Sequence, residues 1–174
     1  MHLEAYNGLF RMLNDSGLEL NKLMHVLDLG GRDINGSIRG LLPHAQWDGL
    51  DIVEGPGVDI VRDATLDWPE NFKLYDMIIT TELFEHVEDW RGVIRTCSQA
   101  LSNGGEEILF ITCASTGRRP HGASGEMDPP PGEWYQNIDP DEMRRQLSKF
   151  FAHFEVTYNP NPGDIYAWAQ CVKR

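Results

Sequence analysis

Residues 25–64 read HVLDLGGRDINGSIRGLLPHAQWDGLDIVEGPGVDIVRDA. The run divides into an apolar strand, a glycine-rich turn, a short helix and a second strand ending in Asp51. A third, short strand then ends just before Asp63. Met24 to Leu29 is mostly apolar and of strand length, as in a parallel sheet covered on both faces. Gly30 and Gly31 form the turn after it, where the missing Cβ lets backbone N–H groups approach a ligand closely. Asn35-Gly36-Ser37 offers capping groups for a short helix running to Leu42, which Pro43 and His44 break. Asp51 follows about 20 residues beyond the turn, at a strand tip, where a carboxylate accepts both hydroxyls of a ribose. Together these features indicate a site for a nucleoside-bearing cofactor.

On the N-terminal side, Leu3, Tyr6, Phe10 and Leu13 recur at i, i+3, i+7 and i+10, the pattern of an amphipathic helix. It occupies the segment 1–24 and ends at Asn14-Asp15-Ser16-Gly17. Beyond residue 64, Tyr75 to Thr80 makes a fourth strand. Asp89 caps a helix whose apolar positions are Trp90, Val93, Ile94, Cys97 and Leu101, and Asn103-Gly104-Gly105 stops it. Glu107 to Cys113 is the fifth strand. Residues 114–138 are rich in Gly and Pro and lack periodicity, which in a compact domain marks a lid or binding loop. Asp139, Pro140 and Glu142 stand at the N-cap, N1 and N3 positions of a last helix. Phe154 to Tyr158 and Ile165 to Val172 are joined too closely for a crossover, so they pair antiparallel. Strands alternating with helical or short connecting segments specify one doubly wound α/β domain over residues 1–174.

The chain has 174 residues, 41% of them hydrophobic, and a net charge of −12. A phosphate backbone or an anionic membrane calls for a basic stripe, and only the pairs Arg118–Arg119 and Arg144–Arg145 cluster. Nucleic acid and membrane are therefore disfavoured as partners, and a small-molecule substrate is expected. No apolar run reaches about 18 residues, the length a spanning helix needs, and the N-terminus lacks the features of a signal peptide. The three separated cysteines suit a reducing, cytoplasmic setting. His2, His25, His44, His86, His121 and His153 show no paired ligand spacing, so no metal site is expected.

VLDLG with its glycine turn, GLDI ending in Asp51, Asp63-Ala64, YDMIITTELFEHVED and LSNGGEEILFIT occur in the order of motifs in class I S-adenosylmethionine-dependent methyltransferases. Residues 24–113 resemble that family, and especially its small type 11 group. The resemblance implies a sheet of about seven strands, ordered 3-2-1-4-5-7-6 with the last strand antiparallel. It implies S-adenosyl-L-methionine as cofactor and in-line methyl transfer as the reaction. Carried over residue by residue, it places Asp28, Gly30, Gly31, Gly36, Asp51, Ile52, Asp63, Ala64, Thr81 and Glu82 at the cofactor. Arg32 stands where the family turn has a glycine, so the amides that face the ligand are not defined by the resemblance.

His86 is the candidate general base if the acceptor must shed a proton, since imidazole takes one near neutral pH. Arg118, Arg119, His121, Trp134 and Tyr135 mix cations with aromatic rings in the lid, which suits an anionic or ring-bearing substrate. The residues alone leave two other readings open: an NAD- or nucleotide-sugar-dependent enzyme, and a non-catalytic scaffold retaining the fold.

Overall fold

The computed structural model describes residues 2–102 and 104–173. Seven strands form one sheet in the order β3-β2-β1-β4-β5-β7-β6. They are β1 (His25–Leu29), β2 (Gln46–Asp51), β3 (Ile60–Val61), β4 (Met77–Thr81), β5 (Ile108–Ala114), β6 (Phe151–Asn159) and β7 (Asp164–Val172). The first five run parallel, and β7 lies antiparallel between β5 and β6. The order and the reversed final strand are those implied by the resemblance.

Alternation along the central strands produces two cores. Val26, Met77, Ile79, Ile108 and Phe110 face one side of the sheet, together with Leu9 and Leu13 of helix α1 (Leu3–Asp15). Leu27, Ile78, Leu109, Ile111 and Cys113 face the other side, under helices α2 (Trp90–Ala100) and α3 (Pro140–Phe150). Both caps fall where the sequence puts them: Asp89 accepts from Gly92 N, and Asp139 from Glu142 N. Gly104 and Gly105 follow α2, while Asn103 lies outside the described residues. Cys97 and Cys113 are fully buried, with burial first among the causes that push their thiol pKa values up, to about 12 for Cys97.

Two expectations are corrected. The helix anticipated through Leu42 is only a 3-10 turn at Arg39–Leu41. Gly36 has φ +117° there, and the segment draws its hydrogen bonds from elsewhere. Asp33 Oδ1 takes Gly36 N, Asp33 N goes to Pro56 O, and Arg39 reaches Gly57 O. The stripe of α1 is also rotated. Ala5, Gly8, Leu9 and Leu13 are buried, whereas Leu3 and Phe10 are 69% and 50% exposed. Gly8 lies under the Tyr166 ring with no room for a Cβ, so this small residue and not the larger ones chooses the inward face.

Candidate active site

In an open parallel sheet, ligands sit beyond the carboxyl ends of the strands. Over that edge lies a cleft of about 990 Å³, at the upper end of the ~300–1,000 Å³ range of small-molecule sites. Every residue expected at the cofactor lines it: Asp28, Gly30, Gly31, Gly36, Asp51, Ile52, Asp63, Ala64, Thr81 and Glu82. His86, Arg118, His121 and Trp134 line it as well, whereas Tyr135 is not part of the lining.

The glycine turn works differently from the expectation. Gly30 N and Gly31 N both donate to Leu50 O, at 2.8 and 3.0 Å, so these amides tie β1 to β2 and do not point at a ligand. What the glycines allow is close packing against Leu83 and Asp28. Gly30 has φ +82°, a conformation side chains rarely adopt. A Cβ on Gly31 would lie 2.7 Å from Asp28 O.

The polar contribution comes from carboxylates. Asp51 closes β2 and fixes its own loop by accepting from Val53 N at 3.0 Å through Oδ1. Ile52 and Val53 beside it are 66% and 48% exposed, an apolar shelf over the same strand tip. Asp63 Oδ1 holds Thr65 through N and Oγ1. Asp28 is buried, and burial above all raises its pKa to about 6; Asp51 and Asp33 add to the rise and Arg39 opposes it.

At the end of β4 the chain turns sharply. Glu82 has φ +55°, and a non-glycine residue in that region costs about 1–3 kcal/mol. The turn packs Leu83 against Gly30 and brings the Glu82 carboxylate to His2 Nδ1 at 2.9 Å. His2 Nε2 lies 3.0 Å from Asp164, which is fully buried and receives Arg118 Nη1 at 2.7 Å. Burial works against a charge on His2, but the bonds to Asp164 and Glu82 carry its pKa up to about 9. Arg118 is thus committed to carboxylates of the protein and is not open to an anionic substrate. Nothing in the pattern of residues 1–24, which reads as a helix on the sheet face, signals that His2 reaches this cleft.

Residues 115–137, within the expected lid 114–138, carry no helix or strand, and both ends of this segment are clamped. Ser115 Oγ donates to Ile138 O at 2.6 Å. Glu85, fully buried in the 3-10 turn Phe84–His86, accepts Ala114 N on its carboxyl and Gln136 N on its carbonyl. Above it, the rings of His86, His121 and Tyr135 meet edge to face, with centroids 5.0–5.5 Å apart. Glu85, His86 and His121 each bring one polar side-chain atom within 4.8 Å of the others. No spacing rule finds this grouping, because His121 is far from the other two in the chain.

Residues 4–151 match a family model described as a methyltransferase domain. The chain belongs to this methyltransferase family. Two curated ubiquinone biosynthesis O-methyltransferases are similar to the domain. The one from Caulobacter sp. (strain K31) is 30% identical over 145 residues, covering 78% of this chain and 56% of the relative. That from Caulobacter vibrioides is 31% identical, covering 73% and 52%. The chain therefore spans about half the length of these relatives. Among solved structures, the DhpI–SAH complex superposes with a TM-score of 0.68 at 16% identity, covering 98% of this chain and 86% of that one. A Burkholderia thailandensis 1,6-didemethyltoxoflavin-N1-methyltransferase gives 0.67 at 13% identity, covering 97% and 79%. At such identities the likeness is one of fold. Among the described residues, no helix of the methyltransferase domain is long and apolar enough to cross a membrane.

Proposed function

We propose that the protein transfers the methyl group of S-adenosyl-L-methionine to a hydroxyl on a small, ring-bearing acceptor. The observation that carries this reading is the row of features along one sheet edge: the Gly30-Gly31 turn, then Asp51, then Asp63 with Ala64. The glycine turn at the cleft wall, the shelf of Ile52 and Val53, and carboxylates at successive strand tips fit an adenosyl group with an amino-acid tail. Asp51 would accept the ribose hydroxyls, Asp63 and Ala64 would meet the adenine edge, and Asp28, Thr81 and Glu82 would face the tail. The cofactor supplies a methyl group on a positively charged sulfur, ready for in-line displacement.

The residues of the chain then have two tasks: to hold the acceptor in line and to keep water out. Trp134 and Met127 on the loop, with Leu83 below, provide apolar wall at the cleft. His86 is half-buried; burial first, and then the neighbouring His121, lower its pKa, so its ring is uncharged at neutral pH. The hydroxyl acceptor is favoured by the relatives being O-methyltransferases and by imidazole at the cleft, a group able to take the proton a hydroxyl must shed.

Calorimetric titration with S-adenosylhomocysteine tests the cofactor. Saturable binding is expected, and Asp51→Ala should weaken it by roughly tenfold to a hundredfold, as for loss of hydrogen bonds to a charged acceptor. Absence of binding at millimolar ligand would overturn the proposal.

A further inference from the structure

In the proposed methyl transfer to a hydroxyl, on which the assignment of a base rests, the acceptor must lose a proton. Of the three imidazoles that line the cleft, His2 is held between Glu82 and Asp164, and the other two differ in what they offer. His86 Nδ1 is buried and has no hydrogen-bond partner among the described residues. A nitrogen sealed in this way cannot meet an acceptor in the cleft, and the rest of the His86 ring is engaged by the Trp134 backbone. His121 Nδ1 lies 3.2 Å from the carbonyl oxygen of Arg119. A carbonyl only accepts, so this nitrogen carries the hydrogen, and the lone pair of the neutral ring is on Nε2. The Tyr135 hydroxyl is directed to Asn137 Oδ1 at 2.9 Å, so Tyr135 contributes a ring and not a base.

Beneath the rings, one Glu85 oxygen accepts Ala114 N while the other is buried without a partner among the described residues. The groups beside His121 are Glu85 and His86 from the 3-10 turn and Arg119 and Tyr135 from its own loop, while Glu82 and Glu133 act on the neighbouring His86. Burial, with Glu82 nearby, pushes the Glu85 pKa well above the usual carboxylate range. His86, its pKa lowered first by burial, sets no positive charge against one arriving on His121.

We propose that His121 is the catalytic base and that Glu85 and His86 position it, so that the base exists only while segment 115–137 lies over the cleft. The proton leaves the acceptor hydroxyl for His121 Nε2. The oxygen's electron pair forms the bond to the methyl carbon, and the carbon–sulfur bond breaks with its pair left on sulfur. The positive charge lost from sulfur reappears on the imidazole, within reach of the Glu85 carboxyl.

The test compares wild-type protein with His121→Gln, His86→Gln and Glu85→Gln. Binding of S-adenosylhomocysteine is measured by calorimetry. Methyl transfer to catechol and to 4-nitrocatechol is followed from about pH 5.5 to 9.5, with and without a chelator. All four proteins should bind S-adenosylhomocysteine alike. His121→Gln should lose about a hundredfold or more in kcat on catechol, together with the rising acid limb of the pH profile. It should keep most of its rate on 4-nitrocatechol, whose hydroxyl ionises near neutral pH unaided. Glu85→Gln should keep the limb and move its midpoint, and His86→Gln should lose less than His121→Gln.

Full catechol activity in His121→Gln would overturn the assignment, as would loss of the limb in His86→Gln alone. So would loss of S-adenosylhomocysteine binding in both His121→Gln and His121→Asn, which would make the residue structural. Transfer abolished by the chelator and restored by a divalent cation would replace the proton with a metal ion. Wild-type protein that binds S-adenosylhomocysteine yet methylates neither catechol would refute the hydroxyl acceptor itself, and failure to bind would remove the cofactor first.

Discussion

Asp28 is the most consequential single residue for the cleft's dependence on pH. Its pKa of about 6 lies above the ordinary value of 3.8, so the folded, ligand-free protein holds an extra proton between those two values. For an acid raised in this way, stability is greatest below that window and declines as pH rises through about 6. Asp28→Asn should therefore be more stable than wild type at about pH 7.5 and nearly equal to it at about pH 4.5, as read by urea unfolding. A positively charged ligand beside Asp28 reverses the preference, because it favours the ionised carboxylate. Affinity for S-adenosylmethionine should fall as pH drops below about 6, with proton release seen by calorimetry in buffers of different ionisation enthalpy. In Asp28→Asn both effects should vanish.

Among the elements, the start of α1, the end of β4, the start of β7 and segment 115–137 meet at one cluster of four charges: His2, Glu82, Arg118 and Asp164. Burial alone would lower the pKa of His2, and its two carboxylate partners outweigh that effect. The stabilisation they give is complete below about 6.5 and is lost as pH rises through about 9. His2→Gln should expose the Arg118–Arg119 bond to trypsin several-fold faster at about pH 7.5. Wild type should approach that rate only near pH 9.5, measured against an unfolded-chain control.

The elements also show what a local pattern carries. Asp89 and Asp139 are legible as caps because a cap is a contract between residues three apart. The face of α1 is not legible, because Tyr166, at the far end of the chain, decides it through Gly8. The segment after the glycine turn escapes a helical reading for a similar reason. Its Asp33 N is satisfied by Pro56 O and its Arg39 side chain by Gly57 O, across a loop no periodicity describes.

For the whole molecule, strand order follows from motif order, since each strand's tip bears a residue whose chemistry states its place. The half of the cleft at the strand tips is legible because it lies on four consecutive strand ends. The half beneath the loop is not, because it is assembled from His2, Glu85 and segment 115–137, which approach one another only after the sheet has formed. Long-range charge pairs of this kind have no signature in spacing. The clamp that Glu85 places on both ends of the loop is visible only in three dimensions.

The diversion of Gly30 N and Gly31 N to Leu50 has a consequence for the company this cleft keeps. Nucleotide-binding turns grip phosphate with open amides, and here those two are spent inside the sheet. Around them the cleft presents nine carboxylates against four arginines, one of which, Arg118, is already paired with Asp164. A pyrophosphate would enter a field of its own sign with no backbone donors from the turn to offset it. On the proposed function, adenosine carrying a sulfonium tail should bind where adenosine carrying phosphates should not. ATP or NADH at several millimolar should leave the apparent affinity for S-adenosylhomocysteine unchanged within about twofold, while methylthioadenosine competes. Adenine nucleotides, however abundant, would then leave the site open to adenosine derivatives that carry no phosphate.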